Sequence, residues 1–184
     1  VATTDCRPMV EQGKWSQRYF GDNMYDLLLR QSIFQLLWNG GGSKAVQLAV
    51  FDKYEKLIAQ YEAAGNRDAE LLTRLERLMY WQRNGWRYPQ QLSDEQVLEQ
   101  LQAWAKAYDG VDACAALYVS WADFYHQKQD FVSEIKVIEE GIKRYPSSEF
   151  TADLKDKQRI VCMPSLSVQV THPYPQTEAE LRVT

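Results

Sequence analysis

The feature that most constrains this chain is an apolar spacing near 3.6 residues that recurs from about residue 23 to residue 163. It is interrupted at short intervals by residues that stop one helix and start the next. Such a pattern describes amphipathic helices that bury one stripe each against their neighbours, and it excludes a sheet-based core over this stretch, because strands alternate with a period of two. The spacing predicts a first helix over about Asn23–Trp38, with Tyr25, Leu28, Leu29, Ile33, Leu36 and Leu37 on one face. Asn39 and the glycines from Gly40 to Gly42 end it. A second helix runs from Ser43 to Ala64 and buries Val46, Val50, Tyr54, Leu57, Ile58 and Tyr61, with Gly65 as a left-handed stop. Asn66 caps a third, which carries Leu71, Leu72, Leu75, Leu78 and Met79 and closes at Gly85.

Ser93-Asp94-Glu95-Gln96 has the spacing of a capping box, and Val97, Leu98, Leu101, Trp104, Ala105 and Tyr108 mark the fourth helix behind it. Gly110 breaks the chain before a fifth helix over about Asp112–Gln127, whose inner stripe is Cys114, Leu117, Tyr118, Trp121, Phe124 and Tyr125. Asp130 caps a sixth with Phe131, Ile135, Ile138 and Ile142, stopped by Pro146. A seventh starts near Ser147 or Ser148, carries Phe150, Leu154 and Ile160, and stops at Pro164. After Pro164 the period becomes two: Leu166, Val168 and Val170 alternate with polar residues, His172-Pro173-Tyr174-Pro175 turns the chain, and Leu181 and Val183 alternate again. These read as two short strands, and a lone hairpin is marginal in water.

Paired helices call for a search for repeats. The window Ala115–Ser148 resembles a tetratricopeptide repeat. Tyr118, Trp121, Ala122 and Tyr125 fall where the first helix of that motif places its large, large, small and aromatic residues, and Ile138, Gly141 and Pro146 fit the second helix and its terminating proline. Glu134 departs, because the motif wants a small residue there. A weaker window reuses the spacing at Tyr54, Leu57 and Tyr61, with Ile58 where a small residue belongs. The expected architecture is therefore all-α, with about seven helices in antiparallel pairs stacked as a tetratricopeptide-like superhelix or bundle and a short C-terminal β extension. An irregular leader over 1–22, a helical domain over 23–163 and the start of a truncated β domain over 164–184 are the expected divisions, and they predict a segment of a longer protein.

Read together, several segments resemble the N-terminal helical region of large bacterial alpha-2-macroglobulin-like proteins. Met24-Tyr25-Asp26-Leu27-Leu28, with Ile33 further on, is similar to the family's LYDFLAHRAI segment. Gly65-Asn66-Arg67-Asp68-Ala69, continuing to Leu75, Arg77-Leu78 and Tyr80, is similar to its GNxDA...LxRLxY stretch. Arg144-Tyr145-Pro146-Ser147-Ser148 and Pro164-Ser165-Leu166-Ser167-Val168 are similar to the junction where helices give way to the first macroglobulin-like β domain. The order is correct from about Asn23 to Thr184. The sequence departs where Arg30-Gln31-Ser32 replaces His-Arg-Ala and where Arg74 replaces a usual Asp. The resemblance implies an exported, periplasmic or cell-surface parent that entraps proteases, and a noncatalytic helical scaffold or interaction role for this segment. Its implied partners are other domains of the same parent chain or another protein.

The chemistry-bearing residues predict no enzyme and no cofactor. The cysteines Cys6, Cys114 and Cys162 and the histidines His126 and His172 make no metal-ligand spacing. None of the cysteines begins the Cys-x-Glu-Gln of a thioester. No phosphate loop, nucleophile elbow or zinc-protease motif occurs, and Gly40–Gly42 reads as a helix stop. Cys114 and His126 share a predicted helix, but twelve residues of rise separate them by about 18 Å. Cys114 is expected to be buried and Cys162 half-buried. A net charge of -4 over 184 residues argues against nucleic acid or anionic lipid, and no apolar run is long enough to span a membrane. The aromatic content supports one rival from a different class, a glycan-binding helical surface module like the SusD-like proteins. Trp81, Trp86 and Tyr88, flanking a helix end and loop, are its candidate exposed surface. An unrecognised hydrolase is the third alternative.

Overall fold

The computed structural model describes residues 19–20, 28–33, 35–36, 44–84, 92–163, 166–168 and 181–183. Residues 28–33 and 35–36 are helical, in register with the first predicted helix. Six further helices follow: α1 Lys44–Ala64, α2 Arg67–Asn84, α3 Asp94–Ala107, α4 Ala115–Gln127, α5 Phe131–Arg144 and α6 Phe150–Val161. A 3-10 turn, Asp112–Cys114, leads into α4. Two strands, β1 Leu166–Val168 and β2 Leu181–Val183, pair antiparallel with Leu166 opposite Val183 and Val168 opposite Leu181. The described residues thus form an all-α bundle with a two-stranded element at the C-terminal side.

Local chemistry sets most helix ends. Gly65 sits at φ +68 and Gly110 at φ +81, left-handed conformations that cost glycine nothing. The Asn66 side chain accepts from the Ala69 amide at 3.1 Å. Ser93 and Gln96 close a reciprocal capping box on α3, satisfying two backbone donors that the helix itself cannot. Asp130 accepts from the Ser133 amide at the start of α5, and hydrogen bonds from the Ser133 side chain and then from that amide hold its carboxyl below the usual range. Before α4 the chain tightens into the 3-10 turn, whose Ala113 amide donates to Asp68 at 2.8 Å. The seventh predicted helix, expected to start near Ser147 or Ser148, runs over Phe150–Val161, and the Ser148 hydroxyl donates to the Asp112 carbonyl at 3.0 Å.

Helices α1 and α2 pack together, α5 packs on both α4 and α6, and α3 packs on α4. The core runs through Val50, Leu57 and Tyr61 of α1, Leu71, Leu72 and Leu75 of α2, Val97 and Leu101 of α3, and Leu117, Tyr118, Ile138 and Leu154 beyond. Tyr19 and Phe20, which the sequence assigns to the leader, are buried in it. The Tyr19 hydroxyl donates to Asp112 at 2.7 Å, and its carbonyl accepts from Asn66 at 2.8 Å. Leu28 and Ile160, expected on inner stripes, are exposed, and Cys162 is exposed rather than half-buried. Ile160 lies about 120° around α6 from Leu154, so it turns away from the groove that Leu154 fills.

Candidate functional site

The best-defined assembly of sequence-predicted residues is the three-helix unit α4–α5–α6. Gly141 of α5 is its closest point. A β-carbon there would lie 2.8 Å from Tyr118 Cβ of α4 and 2.8 Å from Leu154 Cδ1 of α6. The hydrogen of glycine lets three helices meet where any side chain would push them apart. Ala122 is fully buried one turn beyond Tyr118, and Ile138 is fully buried one turn before Gly141. Tyr118 packs its ring at 5.8 Å from Trp121 and at 5.9 Å from Tyr145. Trp121 and Tyr125 are half-buried against the core, and Pro146 is exposed in the turn after α5. The structure places Tyr118, Trp121, Ala122 and Ile138 in or against the core and sets Gly141 against Tyr118 and Leu154.

Burial has the expected effect on the polar groups inside this unit. The Tyr118 phenol is pushed up to about 12 by desolvation, with Glu140 adding to the effect. The Tyr145 phenol moves further in the same direction, also by burial, and its hydroxyl donates to Asp109 at 3.2 Å. Cys114 is fully buried and its thiol is likewise pushed up, so it is poorly disposed to act as a nucleophile. Each shift disfavours the charged form and fits a packed interior.

Glu134, the departure from the repeat pattern, is 1 % exposed. His126 Nδ1 lies 3.0 and 3.1 Å from its two carboxylate oxygens, closing the α4–α5 turn. A buried carboxylate without a partner would be costly, and the histidine supplies one from the last turn of the preceding helix. Sequence spacing alone did not pair the two. The signal was available in an acidic residue at a small-residue position and a histidine eight residues upstream.

The two other departures, Arg30 and Arg74, also organise polar contacts. The Arg30 guanidinium stacks 3.6 Å from the Phe20 ring centroid, donates to Thr73 Oγ1 at 2.7 Å and pairs with Glu76 at 2.9 Å. Burial lowers its pKa, but Glu76 and Tyr61 outweigh that and leave it raised. Arg74 pairs with Glu70 at 2.9 Å and with Glu62, and Glu70 accepts from the Tyr108 hydroxyl. Burial and that bond push the Tyr108 phenol up to about 12. These contacts join α1, α2 and the end of α3.

Of the candidate aromatic surface, Trp81 alone lies among the described residues. Trp81 is half-buried and meets Phe51 of α1 edge-on, with ring centroids 5.1 Å apart. Trp86 and Tyr88 lie outside the described residues. A cleft of about 380 Å³ is lined by Leu78 of α2, by Leu92, and by Gln96, Glu99, Gln100 and Ala103 of α3. Glu99 is the one ionisable group among its described lining residues. Among the described residues no cluster of histidine, cysteine and carboxylate groups could hold a metal ion, and no helix is long and apolar enough to cross a membrane.

Comparison of the chain with protein-family models, with curated proteins and with solved structures finds no match in any of the three.

Proposed function

We propose that this chain is a noncatalytic helical scaffold of a larger, exported alpha-2-macroglobulin-like protein, and that it holds other domains of its parent, or a protein partner, in place. One observation carries most of this reading. The junction of α4, α5 and α6 at Gly141 is a close-packed interface in which burial pushes the Tyr118 phenol and the Cys114 thiol toward their neutral forms. Close packing of this kind is what a stacking module needs. The ordered resemblance from Asn23 to Thr184 and the strands at Leu166–Val168 and Leu181–Val183 support the same assignment.

The experiment is to read the natural coding sequence beyond Thr184. The proposal expects successive β domains, with or without a Cys-x-Glu-Gln segment. A stop codon shortly after Thr184 refutes it.

A further inference from the structure

Four of the six large apolar side chains left exposed among the described residues lie at one end of the α4–α6 unit. The short turn after α4 puts Phe131 and Val132, 47 % and 66 % exposed, at the end where α4 finishes. Gly141 opposes Leu154, and the Tyr145 carbonyl accepts from Thr151, so α5 and α6 run antiparallel. Continuing that register brings Ile135 level with Ile160 and Val132 level with Met163. Ile160 and Met163 are 61 % and 71 % exposed. The Lys157–Asp123 ion pair holds the end of α6 beside the end of α4. Isolated surface apolar residues need no explanation, but a concentration of them at one end of a packed unit marks a surface that something covers.

Three residues beyond Met163 the chain enters β1, within about 11 Å at full extension. The register of β1 and β2 sets apolar positions opposite apolar positions, Leu166 with Val183 and Val168 with Leu181, so all four fall on one face of the sheet. A two-stranded element of this size needs further strands or a packing partner to persist. An exposed apolar helix end and an incomplete sheet are thus joined by a very short tether. Such a tether gives a high effective concentration, so a modest apolar contact suffices where a free partner would have to offset its lost translational freedom.

We infer that the end of the α4–α6 unit formed by Phe131, Val132, Ile160 and Met163 is the docking surface for the β domain that begins at Leu166. This rests on the reading that the protein continues into such a domain. The described strands leave the four side chains exposed, so the covering contact comes from the part of the β domain beyond them.

Cys162 is exposed amid this surface and reports on it directly. Its alkylation by iodoacetamide, followed by peptide mass mapping, is compared between residues 1–184 and the longer protein of the natural coding sequence. Docking predicts alkylation at least about tenfold slower in the longer protein, with slower amide exchange over residues 131–136. The double variant Val132→Lys/Ile160→Lys should restore the fast rate there while its helical circular dichroism is unchanged. Equal rates in the two proteins overturn the docking surface and leave the β continuation standing. A coding sequence with no β domain after Thr184 overturns both. Concentration-dependent slowing in residues 1–184 alone, removed by the double variant, assigns the surface to a second copy and also overturns the inference.

Discussion

Replacing Gly141 by alanine tests the packing of the three-helix unit quantitatively. The new methyl would stand 2.8 Å from Tyr118 Cβ and from Leu154 Cδ1, and 3.0 Å from Tyr118 Cγ. Ordinary carbon–carbon contact begins at about 3.5 Å, so each neighbour must give by about 0.7 Å or less favourable contact remains. Leu154 Cδ1 is the tip of a side chain and can rotate aside. Tyr118 Cβ is fixed to the backbone of α4, so relief there requires the helices to separate. Overpacking of this kind costs about 1–3 kcal/mol. Against it stands the helix propensity of alanine over glycine, worth about 1 kcal/mol in a helix interior. The net expectation is a loss of about 1 kcal/mol for Gly141→Ala and a larger loss for Gly141→Val. Urea denaturation followed by circular dichroism measures it, with an unchanged slope showing that the shift in midpoint reflects stability. If Gly141→Ala were stabilising by about 1 kcal/mol, propensity alone would be acting and the close approach of α4, α5 and α6 would be refuted.

Further perturbations test the polar interior and the helix ends. Removing the His126 side chain leaves the buried Glu134 carboxylate without its partner, so His126→Ala should cost about 1–3 kcal/mol, whereas the double variant with Glu134→Ala should recover most of that loss in urea titrations. Gln47 is fully buried on the inner stripe of α1, and both of its amide atoms are unpartnered among the described residues. Gln47→Met, similar in length and without donors to satisfy, should raise stability by about 1 kcal/mol or more, and an unchanged or lower midpoint counts against its burial. The phenols of Tyr108 and Tyr118 are raised from 10.0 to about 12. Their proton is held more tightly in the folded state, so stability should be level below about pH 9.5, fall between pH 10 and 12, and track tyrosinate absorbance that appears above the pH of free tyrosine. Ser93→Ala removes half of the capping box and should cost about 1 kcal/mol, with faster amide exchange confined to the first turn of α3.

Helix positions were legible because the signals that start and stop helices are local. Gly65 and Gly110 adopt the left-handed conformations that their neighbours require, and Asn66, Ser93 and Asp130 bond amides only three residues away. The burial of Tyr118 and Ala122 was legible for a related reason: each lies on the apolar stripe of its helix, and a helical period fixes which positions share a face. The surroundings of Trp81 were not legible in the same way. Whether Trp81 faces solvent depends on Phe51, thirty residues earlier, which no spacing within α2 encodes.

The sequence by itself thus determined the helical class, the helix boundaries to within a few residues and the switch to strands after residue 164, all consequences of period and capping. The tertiary structure alone decided which members of each stripe are covered. It buried Gln47 and Glu134, left Leu28, Ile160 and Cys162 exposed, and drew Tyr19 and Phe20 into the core. It also turned Arg30 and Arg74 into cross-helix anchors and left a cleft between residues of α2 and α3. These outcomes depend on how far each helix extends past its neighbours and at what level they meet, and that geometry is set by side-chain volumes at contacts distant in sequence, as the three helices converging on Gly141 show.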